Sequence, residues 1–310
     1  MKNIYEVQSA NKIKSAVIVA LFVVFVFLAT YVLTKAFGYY MGYQPGGIGY
    51  FGVALIVSGI SSFFSYYFSD KIVLGISGAR VANSQEDKLF TQVIENLCIG
   101  AGIPRPKLYV IEDTAPNAFA TGRDPNHAVI CITSGLLSKL DRTELEGVLA
   151  HEISHIRNYD IRLMSVVSVM VGLVALLGDW FLRVRFWGGS RDRDGDEGNL
   201  GAILMIVGII FAILSPIIAQ LIQLAISRRR EFTADAGSAA ITRQPQGLIS
   251  ALTKISGDTE PLEAANKATA HLYIVNPFKK NTNRVVATFA NLFNTHPPIP
   301  ERIKALESMA

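Results

Sequence analysis

Four long stretches without a charged residue constrain this chain more than any other feature. They run from Ser15 to Thr34, from Gly49 to Phe68, from Leu163 to Gly178 and from Leu200 to Ser227. Most of them have the length of a bilayer crossing. Only 17% of all residues are charged, whereas soluble domains carry about a quarter. We therefore expect an integral membrane protein with about four transmembrane helices.

The third stretch, from Leu163 to Gly178, is shorter than a usual membrane span, so a buried soluble helix is an open alternative for it. The first stretch lacks the small-residue cleavage site of a secretory signal and is expected to remain as an anchor. If one site uses residues on both sides of the third and fourth stretches, the chain crosses an even number of times between them. Either both of these stretches cross the membrane or neither does.

Positive residues near the ends of the stretches predict their orientation. Lysines precede the first stretch, Lys71 and Arg80 follow the second, and the connection 36–48 carries no charge. This pattern predicts a multi-pass membrane protein whose soluble parts face the cytoplasm. The loop 183–199 contains four arginines and argues against the same orientation for the second pair of stretches.

The stretches divide the chain into four parts. Residues 1–70 are expected to form a transmembrane hairpin, 71–162 the first soluble part, 163–227 a second hydrophobic hairpin, and 228–310 the second soluble part. The patterns in the soluble parts predict an α+β protein that is mostly helical with a small sheet. The expected helices are 85–102, 141–155, 231–240, 247–256 and 299–309, and the expected strands are Lys107–Ile111 and Ala128–Thr133.

Two local signals refine this prediction. Asp141 and Glu144 have the spacing of a capping box, which places the start of a helix at Asp141. The segment 113–126 is rich in turn-forming residues and is predicted to be a turn between the two strands.

The predicted helix that begins at Asp141 ends in the sequence His-Glu-Ile-Ser-His, residues 151–155. Residues four apart lie on one face of a helix, so His151 and His155 can bind one metal ion. Glu152 is the residue type that takes a proton from a water molecule on such a metal. The sequence therefore predicts a zinc site with a general base.

A catalytic zinc ion needs at least three protein ligands and an open position. Glu231 and Asp235 are again four residues apart, so one can bind the metal while the other orients a histidine ligand. The segment 228–235 can equally be a salt-bridged helix beside the membrane. The remaining histidines are further candidates for the third ligand: His127, His271 and His296.

Several ordered motifs resemble those of the HtpX-like membrane zinc metallopeptidases, relatives of the CAAX prenyl proteases. They are His-Glu-x-x-His at 151–155, Glu-x-x-x-Asp at 231–235, Asn-Ala-Phe-Ala-Thr-Gly at 117–122, the closing segment 295–302 and the four hydrophobic stretches. The likeness extends over most of the chain. It implies a zincin-like catalytic domain and an endopeptidase of the bacterial inner membrane. Such an enzyme acts on membrane or misfolded proteins at the cytoplasmic face, in membrane protein quality control and the stress response.

The resemblance also implies a role for particular residues. One zinc ion per chain is bound by His151, His155 and Glu231, and Glu152 is the general base. Asp235 does not bind the metal but orients a histidine ligand. The implied site has two further parts. An edge strand that contains Asn117, Ala118, Phe119 and Ala120 aligns the substrate peptide. His296 and Arg302 lie near the oxyanion and stabilise it.

Other features limit the partners. The net charge of +4 is concentrated beside the hydrophobic stretches, which favours contact with a lipid bilayer, and no nucleic-acid-binding motif is present. Cys98 and Cys131 are isolated and expected to be reduced and buried.

Two alternative functions remain open. One is a scaffold with a structural metal, and the other is an enzyme that processes prenyl peptides. The oligomeric state is not predicted.

Overall fold

The computed structural model describes residues 67–165, 228–258 and 297–309 without a break. It also describes short runs and single positions between residues 9 and 64, and residues 260 and 262. None of the helices within these residues is long and apolar enough to cross a bilayer. The predicted crossings fall wholly or partly outside the described residues, as do the loop 183–199 and His296.

The described residues are mostly helical and contain one small sheet, as the sequence predicts. The helices are α1 (Ser69–Ile76), α2 (Lys88–Ala101), α3 (Ser134–Lys139), α4 (Arg142–Arg157), α5 (Arg228–Thr242), α6 (Pro245–Gly257) and α7 (Ile299–Glu307). The strands are β1 (Arg80–Val81), β2 (Lys107–Ile111), β3 (Ala118–Gly122) and β4 (Ala128–Thr133).

The sheet has the strand order β1-β2-β4-β3. Strands β2 and β4 are parallel, with Tyr109 opposite Cys131, whereas β1 and β3 run antiparallel to their neighbours. All residues of β4 are buried, as expected of a strand that has a partner on each side and helices against its face. Strand β3 therefore forms one edge of the sheet.

The segment predicted as a turn between β2 and β4 contains strand β3, so that prediction is wrong in its centre. The small residues of the segment, Ala118, Ala120 and Gly122, are weak strand formers, and pairing with β4 overrides this local preference. The structure instead agrees with the edge strand that the family resemblance implies.

Helix α4 is the centre of the fold. It packs against α2, α5, α6 and strand β3, and its apolar side chains are completely buried, among them Leu145, Val148, Leu149 and Ile153. Its start is fixed by the predicted capping box: the Asp141 side chain accepts from the Glu144 amide, and the Glu144 carboxylate accepts from the Asp141 amide. This cap sets the register of the helix that carries the two histidines.

Helices α4 and α6 approach each other closely at Gly147. A Cβ atom added at this position would lie 2.5 Å from the amide nitrogen of Leu248 and 2.8 Å from its Cα. These are backbone atoms of α6, which cannot move aside as the end of a side chain can. Gly100, on the exposed side of α2, has no atom within 4 Å of such a Cβ.

These two glycines provide a matched test of the packing. We expect Gly147→Ala to lower the free energy of unfolding by about 1–3 kcal/mol, because the helices must separate. Gly100→Ala should raise it by up to about 1 kcal/mol through helix propensity alone. Guanidinium unfolding followed by circular dichroism measures both. Equal effects for the two variants would contradict the close approach of α4 and α6.

Candidate metal centre

Two helices supply the three candidate metal ligands. His151 and His155 are one turn apart on α4, and Glu231 lies in the first turn of α5. All three side chains are buried, with exposed fractions of 1%, 4% and 2%. Burying these polar groups costs free energy unless they are paired with one another or with a metal ion. Helix α4, fixed by its cap and its packing, therefore presents both imidazoles inside the protein.

The ligand atoms converge on one point. The Nε2 atoms of His151 and His155 are 3.2 Å apart, and they lie 3.7 Å and 3.5 Å from the Glu231 carboxylate oxygens. Ligands on a tetrahedral zinc ion with bonds near 2.0 Å are separated by about 3.3 Å. The three residues therefore fit a single metal ion, and they form the only group of this kind found among the described residues.

Each histidine has its other ring nitrogen fixed by a carboxylate. The Nδ1 atom of His151 is 2.9 Å from Asp235 Oδ1, and that of His155 is 3.1 Å from Asp160 Oδ2. A carboxylate at Nδ1 favours the tautomer with its proton there, which leaves Nε2 free to bind the metal. Asp235 thus lies beside the ring of His151, and its role in orienting a metal ligand stays a prediction.

Asp160 was not identified in the sequence analysis. It follows the end of α4 at Arg157, after a turn in which Tyr159 has a φ of 61°. This turn brings a residue five positions beyond His155 back beside its ring. The sequence does show a carboxylate shortly after the second histidine of the motif. Because Asp160 lies beyond the end of the regular helix, helical spacing does not predict its contact with His155.

Arg302, on α7, binds Asp235, and its Nη2 atom is also 3.4 Å from Nδ1 of His151. Its Nε and Nη2 atoms donate to the two Asp235 oxygens at 2.9 and 2.6 Å, and its Nη1 atom is 3.9 Å from Glu231 Oε2. The side chain is completely buried, and within the described residues its Nη1 has no hydrogen-bond partner. Arg302 therefore lies at the metal centre, as the resemblance implies, but its described hydrogen bonds orient Asp235.

The buried charges shift two pKa values in opposite directions. Burial alone raises the pKa of Asp235, but the Arg302 guanidinium and the hydrogen bond with His151 outweigh it, so the pKa lies below its ordinary value. Burial alone lowers the pKa of His155, but Asp160 and the charge of Glu231 raise it to about 9. Asp235 is therefore a carboxylate near neutral pH, and a metal ion must displace a proton to bind His155.

Glu152 lies on α4 next to His151 and is buried, with an exposed fraction of 4%. Its negative charge contributes to the raised pKa of both His155 and Arg302. The Glu152 carboxyl group therefore lies within electrostatic range of His155 and Arg302. Unlike Glu231, it is not part of the converging ligand group.

The other predicted site residues lie on strand β3 or just before it. Ala118, Phe119 and Ala120 are in the strand, Asn117 precedes it, and all four are buried. Strand β3 packs against α4, so it lies beside the helix that carries the histidines. Of the alternative third ligands, His127 is on the surface and hydrogen-bonds to Asp124.

Close packing holds α5 against α4 at the level of the site. The Ser238 hydroxyl donates to the Gly147 carbonyl at 2.7 Å. A Cβ atom added at Gly237 would overlap the Ser154 Oγ and lie 2.8 Å from the Ser154 Cβ. Since Ser154 lies between the two histidines and Gly237 follows Glu231 on α5, this contact sets the distance between the ligands.

We expect Gly237→Ala to lower the affinity for zinc by about tenfold or more, because it moves Glu231 away from the histidines. Isothermal titration or chelator competition measures the affinity. Adding Ser154→Gly to this variant removes both overlapping atoms and should restore most of the affinity. If Gly237→Ala binds zinc as tightly as the wild type, this contact does not position the ligands.

Comparisons with known proteins agree with this geometry. The model of peptidase family M48 matches residues 84–310. A "Protease HtpX homolog" of Dictyoglomus thermophilum is 46% identical over 98% of this chain and 94% of its own. One from Pyrococcus furiosus is 44% identical over 87% and 90%. The crystal structure of S. mikatae Ste24p aligns with 97% of this chain and 66% of its own, at 20% identity and a TM-score of 0.47, too low to support an inference.

Proposed function

Because the chain belongs to peptidase family M48 and is a metalloprotease, we propose that it is a zinc-dependent endopeptidase of the bacterial inner membrane. Its substrates are membrane proteins or misfolded polypeptides, which it cleaves at the cytoplasmic face. The observation that carries this proposal is the convergence of His151, His155 and Glu231 beside Glu152. A buried general base next to a three-ligand site is the arrangement that zinc-dependent hydrolysis of a peptide bond uses.

His151, His155 and Glu231 would hold the metal, and two nitrogens with one carboxylate oxygen are a ligand set that suits zinc. When bound, zinc polarises the scissile carbonyl and lowers the pKa of a water molecule. Glu152 accepts a proton from the attacking water and delivers it to the leaving amine. Asp235 and Asp160 keep the two imidazoles oriented while these protons move.

Exposed apolar side chains support the membrane location. Several apolar residues of the first two hydrophobic stretches are about half exposed, among them Val17 at 53%, Leu21 at 52%, Leu55 at 55% and Phe63 at 54%. Rows of such residues in water would favour aggregation, whereas a bilayer covers them. The described residues reach Ser165, near the start of the third stretch, and α5 begins directly after the fourth. The metal centre would therefore lie at the membrane surface.

Strand β3 would align the substrate by accepting it as an additional strand, a common mode of peptide recognition. It forms an edge of the sheet and lies beside α4, which supports this assignment. Its residues are buried, so binding requires the groups that cover the edge to move. His296 would stabilise the oxyanion together with Arg302, whose Nη1 has no hydrogen-bond partner among the described residues. Clearance of damaged membrane proteins under stress is the role that the family resemblance supports.

Because Glu152 and Glu231 have different proposed roles, we expect their substitutions to have different effects on zinc binding and cleavage. Glu152→Gln should retain zinc and lose at least about a hundredfold in cleavage rate, because only the base is removed. Glu231→Ala should lose zinc and activity together. Glu146→Gln, which changes an exposed partner of Arg142 on the same helix, is the matched control and should behave as wild type.

The assay is cleavage of an unfolded membrane-protein reporter by each purified protein, with metal content measured in parallel. Cleavage by wild type and Glu152→Gln at equal rates would exclude Glu152 as the base. If a prenylated peptide is cleaved and the reporter is not, the enzyme processes prenyl peptides. If the zinc-loaded wild type cleaves neither the reporter nor the prenylated peptide, the metal has a structural role and the protein is a scaffold.

The membrane orientation has its own test. A cysteine placed in the loop 192–199, in a variant without Cys98 and Cys131, should react with an impermeant thiol reagent added to intact spheroplasts. The same cysteine placed at exposed Lys14 should react only after the membrane is disrupted. Reaction of the loop cysteine only after disruption would show that the second hairpin does not expose its loop outside.

A further inference from the structure

The N-terminal segment reaches the metal centre. Residues 9–14 are helical, and within them the Asn11 side chain is buried, with an exposed fraction of 4%. Its amide nitrogen donates to the carbonyl of Asn158 at 2.9 Å and to Asp160 Oδ1 at 2.8 Å. These contacts join residues almost 150 positions apart in the chain, so they depend on the docking of the N-terminal segment against the end of α4.

Asp160 divides its two oxygens between two partners. Oδ1 accepts from Asn11, while Oδ2 is 3.1 Å from Nδ1 of the ligand His155. The next charged group, Arg230 Nη1, is 3.6 Å from Oδ1, which is beyond the range of a good hydrogen bond. Among the described contacts, Asn11 thus gives Asp160 Oδ1 its short hydrogen bond and restrains rotation of the carboxylate that orients His155.

The same segment holds the turn that places Asp160. Tyr159 adopts a left-handed conformation with a φ of 61°, which costs free energy for a residue with a Cβ atom. The bond from Asn11 to the Asn158 carbonyl and the Lys12 ammonium, 4.3 Å from the centre of the Tyr159 ring, both stabilise this turn. The contact therefore fixes both the backbone and the side chain of Asp160.

We propose that Asn11 is a positioning residue of the metal centre, which acts through Asp160 on the zinc ligand His155. The inference rests on the proposed zinc site. The N-terminal end of the first hydrophobic helix would then be a structural part of the metal centre, in addition to anchoring the protein in the membrane. Zinc affinity would then depend on the docking of the N-terminal segment.

Two substitutions in the full-length protein test this role. Asn11→Leu has nearly the same size and removes the amide donor, whereas Asn11→Ala also leaves a cavity. Removing a group that orients a metal ligand costs about tenfold or more in metal affinity, so both variants should lose about tenfold in zinc affinity by chelator competition. If one variant does not fold, the other carries the test. Lys14→Ala, an exposed position on the same segment, is the control and should bind as wild type.

A double-mutant cycle separates action through Asp160 from a general loss of stability. Asp160→Ala alone should lower zinc affinity, and adding Asn11→Leu should then lower it by no more than about twofold, because the bond is already absent. Cobalt-substituted protein gives a second readout: the visible absorption bands should shift in Asn11→Leu and remain unchanged in Lys14→Ala, since they report the geometry of the ligands.

Each possible result supports or overturns a specific claim about Asn11 or the zinc site. Wild-type zinc affinity in Asn11→Leu, or an equal loss with and without Asp160, would overturn the role of Asn11. Failure of the wild-type protein to bind zinc would instead overturn the proposed function. A tenfold loss that disappears in the Asp160→Ala background, together with a shifted cobalt spectrum, would establish the path from Asn11 to His155.

Discussion

Two imidazole rings share one metal ion when each turns a ring nitrogen without a proton inward, and buried carboxylates favour this orientation here. Asp235 binds Nδ1 of His151, and Asp160 binds Nδ1 of His155. Each carboxylate is itself held by a residue from another part of the chain, Arg302 in the first case and Asn11 in the second. The helices that carry these residues must therefore pack correctly before the ligands can converge, and the metal centre depends on the tertiary fold.

Helix α4 makes this dependence possible because it contacts every part that contributes to the centre. Its apolar side chains anchor it against the sheet and α2, while Gly147 allows α6 to approach its backbone. On the side that carries Glu231, Gly237 of α5 lies against the Ser154 side chain of α4. Close contact between backbones leaves little freedom for sliding, since the interior is densely packed. The distances between metal ligands are thus determined by helix packing as much as by the spacing in the motif.

The features predicted correctly from sequence are those set by local geometry. The capping box at Asp141 located the start of α4, and the spacing of four residues placed His151 with His155, and Glu231 with Asp235, on helices. The roles of these residues at a metal ion stay predictions. Strand β3 was taken for a turn because its small residues have little strand preference, and only pairing with β4 makes it a strand. Asp160 and its contact with the N-terminal segment were missed for the same reason: a left-handed turn and a contact across the chain leave no periodic pattern.

The balance of buried charge explains why this arrangement calls for a divalent cation. Among the described residues around the centre, the carboxyl groups are those of Glu152, Asp160, Glu231 and Asp235, and the guanidinium groups are those of Arg230 and Arg302. With the carboxyl groups ionised, two negative charges remain unbalanced in the interior, where an unpaired charge is costly. A divalent metal ion bound where the candidate ligands meet would supply the missing charge. Without the metal, the same excess favours a proton on His155, which is why the pKa of this histidine is raised.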